Sequence, residues 1–534
     1  MKNKIVVILV LFLILAGIGV GYIFFIRQTE PSLPAVEIKP AAEERTAFEF
    51  STSASEIDWD DREVFKSGLV ESSQSVLDEL PLASTYYISL EIPDDLVSGL
   101  LGHQIVRYFN AEEIPLDQVY FRLFPNAQGG SLEVRDVMVD DELAEITLES
   151  FNPLMEENPL PTALRVDLSE PLQPGEAAVI EMDFILDIPT EMGGNYGIFG
   201  YFDDVMVLDT FYPMIPAYDQ DDGWYSAFPQ PNGDYSYNDA SFYLVQVTAP
   251  ADLLIGSAGV RVDHQIEGES QVATFAVGPA RDYYLACSRV YTELEDQVND
   301  DLTIRVLTRK EHDLHQQLAL EFARDAIEIF SQRLGDYPYT EFEIVTAPML
   351  ALGVEYPGIT FLRLEMFIEN HEMYERPNVY QLEPTTVHEV AHMWFYNTVG
   401  NDQQNEPWLD EAVVQYLTYI YFLDKYGNGD GFVDSWYGRW SRVDYDEIPI
   451  GMPAGKYIDP ETEVNSYGAI VYGRGPLFFL ELEGVLGLDT LMSAIQNYYQ
   501  DHLWEEGQPE DLREALEAAC ECDLTSYFEE WVYE

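Results

Sequence analysis

The chain has 534 residues, enough for two or three domains with additional segments. Hydrophobic residues make up 47% of it, and 96 Asp and Glu against 27 Lys and Arg leave a net charge of −69. That balance excludes nucleic acid as a partner of a basic surface, because phosphate would be repelled, and three cysteines exclude a disulfide scaffold.

Residues 1–4 are basic, and residues 5–26 form an uncharged run. At about 1.5 Å per residue this run spans the roughly 30 Å hydrocarbon core of a bilayer. It ends Phe24-Phe25-Ile26-Arg27, which offers no small residues for a signal-peptide exit. Lys2 and Lys4 outweigh Arg27, so the N-terminus is expected in the cytoplasm, with an uncleaved single-pass transmembrane anchor and the rest of the chain outside. Residues 27–58, rich in Pro, Ala, Glu, Ser and Thr, read as a flexible stalk. Residues 59–83 carry a loose helical stripe (Val64, Phe65, Leu69, Val76, Leu77, Leu80) and read as a helical lead-in.

Over residues 84–298 the pattern changes to short β-rich runs at 85–92, 118–124, 177–186, 240–248 and 271–277, separated by turns such as Pro231-Asn232-Gly233-Asp234. This predicts an all-β domain. The aromatic stretch from Phe211 to Tyr225 either reaches a ligand or packs as an aromatic corner. Residues 299–534 alternate strand and helix. Runs at 302–307 and 342–347 read as strands, and 319–334 as a helix with Phe322, Ala326, Ile329 and Phe330 on one side. The end of the chain is mostly helical, giving an α+β layout. Cys520 and Cys522, one residue apart, are expected as free, half-buried thiols beside Cys287.

The richest stretch is Thr385-Thr386-Val387-His388-Glu389-Val390-Ala391-His392. On a helix, residues four apart lie almost above one another, so His388 and His392 can bind one metal ion. Glu389, one step round, stands where a base takes a proton from an activated water. Catalytic zinc takes three protein ligands and keeps one position open. Downstream, Pro407 suits a first helical turn, the apolar run 409–423 reads as the helix, and Glu411 near its start is the third candidate ligand. With 8 His in the chain, such a set arises by chance on the order of once in a thousand chains.

His388-Glu389-x-x-His392, eighteen residues, then Glu411 resembles the signature of the M1 family of zinc aminopeptidases, which includes aminopeptidase N and leukotriene A4 hydrolase. Trp408-Leu409-Asp410-Glu411-Ala412 is similar to that family's Trp-Leu-Asn-Glu-Gly. Gly353-Val354-Glu355-Tyr356 resembles its Gly-x-Met-Glu-Asn, with Val354 and Tyr356 in place of Met and Asn and one residue fewer between Gly and Glu. The resemblance implies a β-rich N-terminal domain, a thermolysin-like catalytic domain, one Zn²⁺ per chain held by His388, His392 and Glu411, and Glu389 as general base. It also implies that Glu355 and Gly353, on an edge strand, bind the free α-amine of a peptide. Tyr472, in Tyr472-Gly473-Arg474-Gly475, is implied as the oxyanion-stabilising tyrosine, with Tyr467 as its competitor. The expected activity is hydrolysis of the first peptide bond; the alternatives are a zinc endopeptidase or other hydrolase of this fold, and a silent tethered binding module. Because many family members continue beyond this point, the cleft is expected to be open to peptides of varied length. His371-Glu372-Met373-Tyr374-Glu375 lacks a second His, and Asn428-Gly429-Asp430-Gly431 reads as a turn capping a helix rather than a calcium loop.

Overall fold

The computed structural model describes residues 57–533 apart from 152–159, 193–195, 220–222, 300, 310–312, 444–447, 460–461 and 463. The expected tail, the anchor at 5–26 and nearly all of the stalk lie outside the described residues. Among the described residues no helix is long and apolar enough to cross a membrane.

The N-terminal part is β-rich. Its largest sheet has eight strands in the order Val260–Glu267, Ser270–Ala280, Ser241–Pro250, Thr85–Glu91, Leu100–Phe109, Ala177–Asp187, Ser131–Val139, Glu142–Leu143. All neighbours are antiparallel except Thr85–Glu91 beside Ser241–Pro250. Along Ala177–Asp187 every second residue is buried, the period expected of a strand with one face on the core. A three-stranded sheet (Leu116–Arg122, Ala163–Leu172, Glu145–Glu149) and a four-stranded one (Leu254–Ser257, Leu285–Ser288, Val205–Leu208, Phe199–Phe202) complete this part. The helical lead-in is reduced to single turns, Glu63–Lys66 and Val76–Glu79, with Phe65 and Leu69 buried.

A five-stranded mixed sheet follows, ordered Tyr291–Gln297, Thr303–Arg309, Glu341–Ala347, Ile359–Arg363, Gly353–Tyr356. Its first strand falls within the stretch assigned to the β-rich domain at the sequence level; it pairs with Thr303–Arg309 across a tight reversal. Gly353–Tyr356 occupies the edge. The helix Asp313–Arg333 buries Ala319, Ala323, Ala326 and Phe330, while Phe322 is only half-buried. Small residues centre that face and let the helix lie close to the sheet.

The remainder is helical. Trp408–Tyr426 is buried on nearly every side, with Trp408, Ala412, Val413, Tyr416, Leu417 and Ile420 inside. Such all-round burial marks a central helix, and each fully buried aliphatic side chain there contributes about 1.5–3 kcal/mol. It ends at Gly427 in the left-handed conformation (φ 68°), and Asn428 accepts the Asp430 N–H as the next helix, Asp430–Trp440, begins. The stretch from Asn428 is thus a helix-to-helix turn. Near the C-terminus the expectation of free thiols fails: Cys520 and Cys522 are joined. The helix Pro509–Cys520 stops at Glu521 in the left-handed conformation, and that reversal brings the two Cα atoms to 5.2 Å. Cys287 is free and buried.

Candidate functional site

Val379–Ala391 supplies the first two candidate ligands from its final turn. His392 caps the helix, its N–H reaching the His388 carbonyl, and its ring Nδ1 lies 3.1 Å from the Phe395 carbonyl. A backbone carbonyl accepts only from a protonated nitrogen, so Nδ1 carries the proton and Nε2 keeps its lone pair. The Gln415 side-chain Nε2 lies 3.3 Å from His388 Nδ1 and so steadies the His388 ring. Glu411 comes from the first turn of the central helix, where its N–H meets Asp410 Oδ1 at 2.6 Å. Asp410 is held in turn by Gln403 at 2.8 Å.

These elements converge three atoms. His388 Nε2 and His392 Nε2 are 3.3 Å apart, and Glu411 Oε2 lies 3.2 Å from the first and 3.7 Å from the second. Ligand atoms bonded at about 2.0–2.1 Å to a tetrahedral zinc stand about 3.3–3.4 Å from one another. Among the described residues Glu411 Oε2 is buried with no hydrogen-bond partner, although it faces both imidazoles. An orphaned carboxylate oxygen beside two converging imidazole nitrogens is what a divalent cation satisfies, so the donor set fits zinc.

Two further carboxylates border this triad. Among the described residues Glu389 and Glu355 each keep one buried oxygen without a hydrogen-bond partner, and Glu355 Oε1 lies 3.7 Å from His392 Nδ1. Gly353 explains how the edge strand comes so close: a Cβ built there would overlap the Glu389 carboxylate. Gly353 is therefore placed against the candidate base. The Tyr472 hydroxyl donates to Glu411 Oε1, the oxygen not turned toward the imidazoles. Tyr472 lies in the π-helical turn Ile470–Arg474, its ring 6.1 Å from the His388 ring. Tyr467 packs 5.8 Å from Tyr472, and its buried hydroxyl has no partner.

The structure adds a residue that sequence reasoning missed. Asp234, from the turn Pro231-Asn232-Gly233-Asp234 of the β-rich part, faces Glu355 as a hydrogen-bonding neighbour. Its turn is clamped from the catalytic side: Gln404 donates to the Asp234 carbonyl, and Asn232 bonds Asn465. The turn signal was legible, but not the fact that it seats on the metal centre. The aromatic stretch does not enter the site. Phe211 and Tyr212 are buried among Tyr86, Tyr243 and Tyr283, and Trp224 lines a hollow of about 400 Å³ with Tyr120, Phe151 and Tyr218.

Electrostatics mark the centre as short of positive charge. Burial, then the neighbouring Asp234, Glu411 and Glu389, push the Glu355 carboxyl well above the usual carboxylate range. Burial and then Glu411 raise Asp234. Burial alone would raise Glu411 too, but His388 and His392 outweigh it and hold that carboxyl low. Five acidic groups around two imidazoles call for a divalent cation and a cationic ligand.

Residues 318–531 match the description "Peptidase family M1 domain". Aminopeptidase M1 of Arabidopsis thaliana is 21% identical over 303 residues, covering 54% of this chain and 33% of that protein. The Tricorn protease-interacting factor F2 of Thermoplasma acidophilum is 25% identical over 229 residues, covering 41% and 28%. These matches span about a third of the length of the curated relatives. Among solved structures, the M1 zinc metallopeptidase from Deinococcus radiodurans superposes with a TM-score of 0.59 at 15% identity, covering 82% of this chain and 90% of that one; it shares the fold. Residues 318–531 are thus similar to a peptidase family M1 domain, and the candidate ligands His388, His392 and Glu411 all lie within the matched stretch.

Proposed function

We propose that the chain is a zinc aminopeptidase that removes the N-terminal residue of peptides with a free α-amine. The observation that carries this reading is the orphaned, buried Glu355 oxygen beside the ligand triad, with Asp234 next to it. Two carboxyls held above their usual range, and lacking a cation, are a receptor for an ammonium group.

Zn²⁺ bound by His388, His392 and Glu411 would supply a Lewis acid for the scissile carbonyl and acidify a water molecule. Glu355 and Asp234 receive the α-ammonium and so set the first peptide bond over the triad. Glu389 takes the proton of the attacking water at its unpartnered Oε2 and returns it to the departing amine, switching from base to acid. The Tyr472 hydroxyl, freed from Glu411, donates to the oxyanion, a contribution of about 3–4 kcal/mol. The positioning groups are Gln415, which holds the His388 ring, and the Phe395 carbonyl, which keeps the His392 Nε2 lone pair turned inward. The uncharged run at 5–26 supports tethering of this activity to a membrane, with the catalytic part on the far side from the N-terminus.

Hydrolysis of aminoacyl anilides by the full chain, with free or acetylated amines and with or without chelator, tests this. The expected result is chelator-sensitive turnover of free-amine substrates, with Glu355→Gln and Asp234→Asn each raising KM about 10- to 100-fold. Equal turnover of acetylated substrates would replace the reading with an endopeptidase.

A further inference from the structure

Among the described residues the Arg439 guanidinium faces an aromatic ring and has no carboxylate partner. It lies in the last turn of the helix Asp430–Trp440, half-exposed, with its Cζ 5.8 Å from the centre of the Tyr472 ring. Among the described residues it makes no hydrogen bond and no ion pair. This runs against the composition of the chain, in which acids outnumber bases 96 to 27. Elsewhere arginines collect carboxylates: Arg305 faces Glu293, Glu295, Glu341 and Glu343, and Arg289 holds Asp94 and Asp252. The groups facing Arg439 are Tyr472, Arg442, Glu411 and Tyr374, and Glu411 is already committed to the imidazoles.

The helix has little freedom to turn this side chain away. It crosses the π-helical turn at Gly473, where an added Cβ would meet the Trp440 nitrogen at 3.0 Å and the Trp436 carbonyl and Arg439 Cβ at 3.1 Å. Contact this close fixes the start of the Arg439 side chain beside the turn that carries Tyr472, over whose ring the guanidinium lies.

The site therefore has two unlike ends. Glu355 lies against His392, at 3.7 Å, with Asp234 behind it. The His392 and His388 rings are 4.8 Å apart, the Tyr472 ring is 6.1 Å from the His388 ring, and Arg439 Cζ is 5.8 Å from the centre of the Tyr472 ring. A peptide with its amine at the acidic end and its first carbonyl over the triad directs its leaving part toward Tyr472 and Arg439.

We propose that Arg439 is a specificity residue that receives a carboxylate on the leaving side of the scissile bond, and that the preferred substrates are short peptides ending there or peptides with an acidic residue there. A planar guanidinium pairs with a carboxylate through two parallel hydrogen bonds. The proposal rests on the aminopeptidase reading for the direction of the peptide. It narrows the open cleft expected from the sequence.

Binding separates the two claims, because it needs no turnover. The zinc-loaded Glu389→Gln protein is titrated calorimetrically with three probes: alanyl-alanine, alanyl-alanine amide and alanyl-glutamic acid α-amide, which keeps only its side-chain acid. The expected result is at least about a 10-fold tighter Kd for one carboxylate-bearing probe over the amide. That ratio falls to about one when Arg439→Gln is added and is partly restored by Arg439→Lys. Selectivity for alanyl-alanine identifies a peptide C-terminus, and selectivity for the glutamyl probe an acidic side chain. A ratio of about one with Arg439 present, or a ratio that survives Arg439→Gln, overturns the proposal. If anilide hydrolysis is absent while this selectivity stands, the aminopeptidase reading fails and the carboxylate site does not.

Discussion

At the scale of single residues, the centre depends on a glycine as much as on its ligands. Gly353 lets the edge strand lie against Glu389, and any side chain there displaces the carboxylate. Gly353→Ala should therefore leave zinc content at one per chain and lower kcat by about 100-fold, since misplacing a reacting group by an ångström costs that much. Loss of zinc together with activity would show that the glycine serves the fold instead. His388, Glu389, His392 and Glu411 were legible because spacing on one helix, and a polar reversal before the next, dictate where they meet. Asp234, Gln415 and Arg439 were not. Each sits in a locally ordinary setting, a turn or a helix face, and becomes part of the site only through packing of elements far apart in the chain.

At the scale of elements, the turn after the metal-binding helix is pinned from the β-rich part. Tyr396 has a positive φ of 115°, and its hydroxyl donates to Asp282 Oδ2 at 2.6 Å, beside donations from Tyr284 at 2.7 Å and Ser236 at 3.0 Å. Asp282 Oδ1 has no partner. Burial pushes this carboxyl from its ordinary 3.8 up to about 7, against those three hydrogen bonds. The folded state then binds the extra proton between pH 3.8 and about 7, so its stability falls as pH rises through that window. The cost approaches about 4 kcal/mol above it. Asp282→Asn, which mimics the protonated acid, should flatten this slope, so that its Tm gains on the parent between pH 5 and 8. Parallel Tm curves over that range would contradict the assignment. The helices and strands themselves were largely readable from periodicity. The disulfide between Cys520 and Cys522 was not, because it depends on the left-handed residue Glu521, and no side-chain pattern announces that a non-glycine will take that conformation.

At the scale of the molecule, the metal centre is closed by two parts of unlike architecture. The helical part brings the ligands and the base, and the β-rich part brings Asp234 and the Asp282 anchor. The sequence showed the two parts through their different periods, but not that a turn of one completes the cleft of the other. The chain as a whole carries a net charge of −69, and the centre itself concentrates acids that, among the described residues, have no cation of their own. The central claim is that His388, His392 and Glu411 hold one zinc ion while Glu389 handles protons. The most direct measurement is zinc stoichiometry with anilide turnover on the same samples of parent, Glu411→Ala and Glu389→Gln. The account predicts one zinc and turnover for the parent, loss of both for Glu411→Ala, and one zinc with turnover reduced by at least about 100-fold for Glu389→Gln. Full zinc in Glu411→Ala, or undiminished turnover in Glu389→Gln, would contradict it.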